Sequence, residues 1–164
     1  MRKIVYISCL LLCALFTTFE IAQCDTLTLA QNKKSTFVIT LSQDAIPAEK
    51  TAAVQFQKYF YQITGAELPL KTETEVDAKT PQILIGTSQR VKVLLPQQNW
   101  GGLGEDGILI KTMGNNLILT GDRPRGALYA VYQFLEDVAG CCWWTPTENT
   151  IPHKSTFSIN GIVA

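Results

Sequence analysis

Residues 105–136 read EDGILIKTMGNNLILTGDRPRGALYAVYQFLE, and they open with two apolar runs that a short polar turn separates. The runs 107–112 and 117–120 each have the length and composition of a β-strand. The turn between them, 113–116, reads MGNN, and Gly and Asn tolerate the positive φ angles of tight turns. The first half of this segment therefore predicts a β-hairpin.

The second half of the segment predicts a helix that begins at Pro124 and ends at Gly140, with Asp122 as its N-terminal cap. Apolar residues recur at steps of three and four and would form one core-facing side. These residues are Leu128, Val131, Leu135 and Val138.

Three residues at the start of this helix are unusual for their position. Gly126 in the first turn costs about 1 kcal/mol relative to alanine, so we expect another part of the backbone to pass close to it. Arg123 and Arg125 oppose the helix macrodipole. We expect both arginines to have partners elsewhere in the fold, with carboxylates as candidates.

Patterns on either side of this segment complete a chain of mixed α and β character. Thr36–Leu41 alternates as a strand does, and a helix with one apolar face follows over Pro47–Thr64, with Ser42 or Asp44 near its start and Gly65 at its end. The remaining predicted elements are a buried strand at Gln82–Gly86, a loop or short helical excursion over 87–105, and final strands at Cys142–Trp144 and Thr156–Ile159. The order β-α-β-β-β-α-β-β predicts an α+β fold, a two-layer sandwich of a mixed sheet and two main helices.

The first 24 residues have the order of a secretory signal peptide. Met1-Arg2-Lys3 are positively charged, 4–19 carry no charge, and small residues precede a cut after Cys24. This predicts export to the periplasm, the cell surface or the medium, and a single domain over 25–164. The alternative is a lipoprotein held at the membrane through Cys24, although Gln23 is larger than the residue expected before a lipidated cysteine.

The composition excludes a nucleic-acid-binding protein. Lys and Arg together number 14, Asp and Glu together number 14, and no basic patch or stripe is visible. Of the five cysteines, only Cys141 and Cys142 lie in the body of the domain, and a disulfide between neighbours is strained. We expect two buried or half-buried thiols.

No residue pattern in the chain predicts catalysis, a metal site or a cofactor. Residues 102–107 match G-x-G-x-x-G, but a loop precedes them and a strand follows, so the context of a dinucleotide fingerprint is missing. His153 is the single histidine, which excludes two-histidine zinc motifs. Glu105 and Asp106 are adjacent, whereas the paired carboxyls of a glycosidase stand roughly 5 to 10 Å apart across a sugar. We interpret them as surface charges.

The tryptophans are the candidate contact residues. Trp100 lies in the predicted loop, and Trp143 and Trp144 are neighbours in a predicted strand. Exposed rings could stack on the face of a sugar. We favour the other interpretation, in which one of the adjacent rings faces the core and the other a partner domain, because strand residues alternate. Trp100, Trp143 and Trp144, with Arg125, are the predicted carbohydrate or interdomain contacts.

Residues 105–136 resemble the accessory α/β domain that precedes the catalytic barrel in family 67 α-glucuronidases and family 20 β-N-acetylhexosaminidases. The chain also resembles related bacterial proteins similar to glycoside hydrolases, in which Gly140-Cys141 and WWTP at 143–146 follow that helix. YQITGAELP at 61–69 and ILIG at 83–86 are similar to the upstream helix-turn and strand of the accessory domain. The resemblance covers nearly all of 36–153. It implies a fold like domain 2 of β-hexosaminidase, a zincin-like topology without the zinc motif.

The resemblance also implies a non-catalytic accessory domain of an exported glycoside hydrolase that degrades glycans. In the family the catalytic groups come from the (β/α)₈ barrel, so no catalytic residue is carried over. Such a barrel takes about 250 residues and none follows Ala164, so we expect either a fragment or a domain that exists alone. The alternatives are a free-standing carbohydrate-binding module and a protein-interaction module. Cys142 stands where the family commonly has arginine, which predicts the loss of a charged contact to the barrel.

Overall fold

The computed structural model of the protein describes residues 26–145 and 147–162. The predicted signal peptide at 1–24, including Cys24, lies outside these residues. Within the described ranges, no helix combines the length and the apolar character that a membrane span needs.

The described residues form nine strands and three α-helices. The strands are β1 (Leu27–Gln31), β2 (Val38–Leu41), β3 (Leu70–Thr72), β4 (Gln82–Ile85), β5 (Ile108–Met113), β6 (Asn116–Gly121), β7 (Cys142–Trp143), β8 (Asn149–Thr150) and β9 (Thr156–Ile159). The helices are α1 (Pro47–Thr64), α2 (Gln89–Leu94) and α3 (Gly126–Phe134), with a 3₁₀ turn at Trp100–Leu103 and a π-helical turn at Leu135–Ala139.

The central sheet has five strands in the order β3-β2-β4-β6-β5. The first four are parallel, and β5 runs antiparallel to β6 as the predicted hairpin. Two further pairs, β1 with β9 and β7 with β8, are antiparallel. The structure therefore confirms an α+β sandwich built on a mixed sheet.

The two main helices, α1 and α3, cover one face of the central sheet. Side chains alternate along a strand, so Ile39, Ile83 and Leu117 point to that face and join the main hydrophobic core. Four phenylalanines link its layers, with ring centroids 5.7 to 6.2 Å apart in the successive pairs: Phe56 and Phe60 of α1, Phe134 of α3 and Phe157 of β9. The strand β9 thereby closes the core.

The opposite face of the sheet carries a smaller cover made by α2 and the 3₁₀ turn. Leu84 and Ile118 of the sheet pack there with Val91, and Trp100 and Leu103 lie against this cluster. This is the region that the sequence predicted as a loop or short helical excursion. The cover is partial, because α2 has six residues and the 3₁₀ turn four.

The helix α1 has the predicted bounds, but Glu49 caps it. Ser42 and Asp44 lie in the turn before it, where the Asp44 N–H donates to the Ser42 hydroxyl at 3.3 Å. The Glu49 carboxylate accepts the Ile46 N–H at 3.0 Å, which satisfies a free donor at the helix start. At the other end Gly65 adopts the left-handed conformation, with φ 69°.

The predicted start and cap of the second long helix are wrong. α3 begins at Gly126, and the Gly126 N–H donates to the Asp122 carbonyl at 2.7 Å. This hydrogen bond closes a turn that precedes the helix, so Pro124 stays outside α3. The Asp122 side chain does not cap the helix. The predicted end is confirmed, since the π-helical turn stops at Gly140 with φ 84°.

The two thiols differ in exposure. Cys141 is buried, as expected, and burial raises its pKa to about 11. Cys142 is exposed, so the prediction of a buried or half-buried thiol is wrong for this residue. The reason is alternation at β7, where Trp143 turns inward and Cys142 turns out.

Candidate functional site

Three glycines set α3 against the hairpin. A Cβ on Gly126 would lie 2.6 Å from the Gly107 carbonyl oxygen and 2.7 Å from the Gly121 carbonyl carbon. The expected close backbone approach at Gly126 is confirmed. It fixes the segment 122–126, and with it Arg123 and Arg125, against the end of β6.

Arg125 pairs with Asp106 in the loop before β5. The Arg125 Nε donates to Asp106 Oδ1 at 2.9 Å and its Nη2 donates to Oδ2. The hydrogen bond and the charge of Asp106 raise the pKa of Arg125 above its ordinary value. The guanidinium also lies 5.8 Å from the centre of the Tyr129 ring. The prediction of a carboxylate partner is confirmed for Arg125, and Asp106 is not a free surface charge.

Arg123 pairs with the buried carboxylate of Glu49. Its Nε and Nη2 donate to the two Glu49 oxygens at 3.2 and 3.3 Å. Glu49 is 2% exposed and also accepts the Thr87 N–H at 3.2 Å. Gly86 passes so close that its Cβ would lie 2.6 Å from Glu49 Cδ. Glu49 thus joins α1 to the loops after β4 and β6. Sequence reasoning missed this role, although a Glu in the first turn after Pro47 was a usable capping signal.

An aromatic cluster holds the inward-facing tryptophan. The Trp143 ring stands 5.4 Å from Tyr59 and 5.3 Å from Tyr132, both edge to face. Its Nε1 donates to the Tyr59 hydroxyl at 3.2 Å. Burial raises the pKa of Tyr132. These contacts hold the Trp143 ring in place. The contact with Tyr59 depends on tertiary packing, so the sequence did not predict it.

Trp144 points away from the core. Its side chain is 69% exposed, and its Nε1 donates to Thr150 Oγ1 at 3.1 Å across the β7–β8 hairpin. On α3, Tyr129 is 41% exposed and shares a helix side with Arg125 and Tyr132, at steps of four and three. We call the set Arg125, Tyr129, Tyr132, Trp143 and Trp144 the aromatic stripe; Arg125 contacts Tyr129, Tyr132 contacts Trp143, and Trp144 follows Trp143 in the chain.

Trp100 lies on the other side of the sheet. It borders a cavity of about 350 Å³ at the carboxyl ends of β4 and β6, which we call the carboxyl-end cavity. The lining residues are Thr87, Lys92, Trp100, Leu103, Gly121, Asp122 and Arg123. Arg125 and Trp143 thus contact tyrosines of α3, and Trp144 is the exposed neighbour of Trp143, whereas Trp100 packs on the other face of the sheet. Their contact roles remain predictions.

The other residues singled out in the sequence stand apart from both places. His153 is exposed near the start of β9. Glu105 is exposed in the loop before β5, and residues 102–107 run from the 3₁₀ turn directly into that strand. Over 26–145 and 147–162, no group of three or more Asp, Glu, His or Cys side chains has the spacing to hold a metal ion.

Comparison with known proteins places this architecture among glycoside hydrolases. Alpha-glucuronidase A of Emericella nidulans is 28% identical over 108 residues, an alignment that takes in 62% of this chain and 12% of the enzyme. The chain therefore matches only a small part of that relative's length.

Two solved structures share the fold. CpGH84D gives a TM-score of 0.53 at 13% identity, covering 84% of this chain and 20% of its own. The family GH115 4-O-methyl-alpha-glucuronidase BtGH115A, described with specificity for decorated arabinogalactans, gives 0.54 at 15% identity, covering 80% of this chain and 17% of its own.

A family model for the glycosyl hydrolase family 67 N-terminus matches residues 18–134. That range contains the central sheet, both main helices as far as Phe134, and the ion pairs of Arg123 and Arg125. The chain belongs to the glycosyl hydrolase family 67 N-terminal family.

Proposed function

We propose that this chain is a non-catalytic accessory domain of an exported glycoside hydrolase, and that it binds the catalytic domain through the aromatic stripe. The observation that carries the proposal is the exposed Trp144 ring, which follows in the chain directly after Trp143, the ring that Tyr59 and Tyr132 hold in place. The domain would hold and orient the catalytic part, which acts on the glycan.

The chemistry of the stripe favours a protein partner. Trp, Tyr and Arg are enriched at the energetic centres of interfaces, where large rings bury area at low entropic cost. Trp143 is fixed by its bond to Tyr59, so the neighbouring backbone is already ordered before binding. A surface ordered in advance loses less entropy when it docks.

The two carboxylates that pair with arginines, Glu49 and Asp106, support a non-catalytic role. Glu49 accepts hydrogen bonds from Arg123 and from two backbone N–H groups, and Asp106 is held by Arg125. A glycosidase needs one carboxyl to give up a proton and a second to act on the sugar. Both of these groups are occupied by structural partners. In the Emericella relative the matched part is 12% of the enzyme, which leaves most of that chain for catalysis.

Export is the second part of the proposal and depends on residues 1–24 alone. Mass spectrometry of the protein expressed with these residues in a bacterial host tests it. A mature chain that begins at Asp25 supports export, and a diacylated Cys24 supports the lipoprotein form. A cytoplasmic chain that still begins at Met1 contradicts both.

The docking proposal is tested with the catalytic domain of a family 67 α-glucuronidase from the same genome. We expect calorimetric binding of this domain to the purified chain, and Trp144→Ala should weaken it at least tenfold. Val93→Ala is the matched control, because Val93 is also 69% exposed but lies on α2, across the sheet. Equal binding by both variants contradicts docking through the stripe.

The non-catalytic role is tested with aryl glycosides, including an aryl α-glucuronide. We expect no hydrolysis above the buffer rate by the chain alone. Hydrolysis that a single carboxylate substitution abolishes contradicts the proposal.

A further inference from the structure

The carboxyl-end cavity lies where a sheet of this kind can hold a ligand. The parallel strands β4 and β6 both end at it, and ligands of open α/β sheets bind outside the carboxyl ends of their strands. Its volume of about 350 Å³ is at the lower end of the range for small-molecule pockets, roughly 300 to 1,000 Å³. It is large enough for one small cyclic molecule, and it lies across the sheet from the aromatic stripe.

One wall of the cavity is an aromatic platform. Trp100 and Leu103 pack against the smaller hydrophobic cluster beneath α2, which fixes the side of each that faces the sheet. Both are half-buried, so part of each side chain stays open to the cavity. An indole face attracts weakly polarised C–H groups. This wall therefore suits a ring with an axial C–H face.

Several of the other lining residues are polar, and hydrogen bonds within the fold hold two of them, Thr87 and Arg123, in place. The Thr87 hydroxyl is placed by Thr120 Oγ1 at 3.2 Å. Arg123 is held by Glu49 through its Nε and Nη2, so its Nη1 has no hydrogen-bond partner among the described residues. Lys92 and Asp122 line the same cavity, and neither side chain makes an ion pair or hydrogen bond within the described ranges. Two donors, Lys92 and the Arg123 Nη1, and one carboxylate acceptor are thus available to a ligand, while the Thr87 hydroxyl donates to the Gly121 carbonyl at 3.5 Å.

The charges around the cavity favour a neutral ligand. Lys92 and Arg123 contribute two positive charges, and Asp122 and the buried Glu49 contribute two negative ones. A site for phosphate or another multiply charged anion carries a clear positive excess, which this one lacks. A ligand rich in hydroxyl groups uses donors and acceptors together.

We propose that the carboxyl-end cavity binds a neutral pyranose unit of a glycan, with the ring on Trp100 and its hydroxyls on Lys92, Asp122 and Arg123. The cavity shares no lining residue with the aromatic stripe, so the sugar-binding proposal is tested independently of docking to a catalytic domain. Of the three tryptophans, Trp100 is then the sugar contact and Trp144 the protein contact.

The test follows the indole N–H signals of the isotope-labelled chain by NMR, with Trp100→Phe identifying the Trp100 signal. The probes are cellotetraose, xylotetraose and mannotetraose, with glucuronic acid and inorganic phosphate as anionic comparisons. We expect saturable shifts of the Trp100 signal with at least one neutral probe. Asp122→Asn and Lys92→Ala should each weaken that binding at least tenfold. Trp144→Ala and Lys50→Ala, an exposed change on α1, should leave it within twofold.

Several outcomes would overturn the proposal. These are no shift with any neutral probe up to its solubility, a response to glucuronic acid or phosphate alone, or shifts confined to Trp144. Trp100 also packs against the cluster beneath α2, so its removal can unfold the chain. The Lys92 and Asp122 side chains make no hydrogen bond or ion pair with the described residues, so these variants keep the test decisive.

Discussion

Replacing Gly126 by alanine tests the contact that sets α3 against the hairpin. In an isolated helix this change stabilises by about 1 kcal/mol, because glycine is the poorer helix former. Here the new Cβ would lie 2.6 Å from the Gly107 carbonyl oxygen and 2.7 Å from the Gly121 carbonyl carbon. Both are backbone atoms, so no side chain can rotate away to make room.

The magnitude follows from how firmly those atoms are held. The Gly107 carbonyl accepts the Asp122 N–H at 2.8 Å, and Gly121 pairs with Ile108 in the β5–β6 ladder. Overpacking costs roughly 1 to 3 kcal/mol, and a rigid backbone neighbour places this case near 3 kcal/mol. Subtracting the helix gain of about 1 kcal/mol leaves a net loss of about 2 kcal/mol.

Urea unfolding followed by far-ultraviolet circular dichroism measures this loss. Gly101→Ala is the matched control, because the nearest atom to its new Cβ is 3.9 Å away. We expect the control to change the free energy of unfolding by less than about 0.5 kcal/mol. A Gly126→Ala variant as stable as the wild type, or more stable, would refute the close contact.

Three further predictions concern the core and the thiols. Glu49→Gln should lower the free energy of unfolding in urea by about 2 to 3 kcal/mol, because the new amide turns an N–H toward the donors of Arg123. An unchanged urea midpoint argues against the Arg123–Glu49 ion pair. Phe157→Ala should cost about 3 to 5 kcal/mol in the same assay, because its ring is 2% exposed in the core; a loss below 1 kcal/mol contradicts its place there. Burial raises the pKa of Cys141 from 9.0 to about 11, so the thiol ionises at lower pH in the unfolded chain and the thermal midpoint should fall as pH rises through that interval. Cys141→Ala should remove this dependence of the midpoint on pH, whereas Cys142→Ser should keep it.

Elements with local signals were predictable from the sequence. The helix α1 has the bounds Pro47–Thr64 in the sequence prediction and in the structure. This agreement arises because a proline at the start, an apolar repeat and Gly65 at the end are all local features of the sequence. The β5–β6 hairpin follows from residues 113–116 in the same way. The arginines illustrate the limit, since their position shows that they need partners but not which carboxylates supply them.

Elements that depend on distant pairing were missed. β1 pairs with β9, and Leu27 lies opposite Ile159 at the far end of the chain. β3 is a three-residue edge strand whose residues are exposed or half-buried, so it lacks the apolar alternation that marks a strand. Local periodicity cannot report such pairing.

The candidate site was predictable by residue but not by arrangement. The adjacent tryptophans divide between core and surface, as strand alternation predicts. The chemistry of its side chain groups Trp100 with them, and only the tertiary fold shows that it lies across the sheet. Lys92 joins it at the cavity through packing that leaves no sequence pattern.

Hydrogen–deuterium exchange of the chain with and without a family 67 catalytic domain tests the docking claim most directly. Docking through the aromatic stripe predicts slower exchange on binding in the β7–β8 segment and along α3, where Trp144 and Tyr129 are exposed. Exchange unchanged across the chain, or protection confined to residues 89–103 on the opposite face, would contradict it.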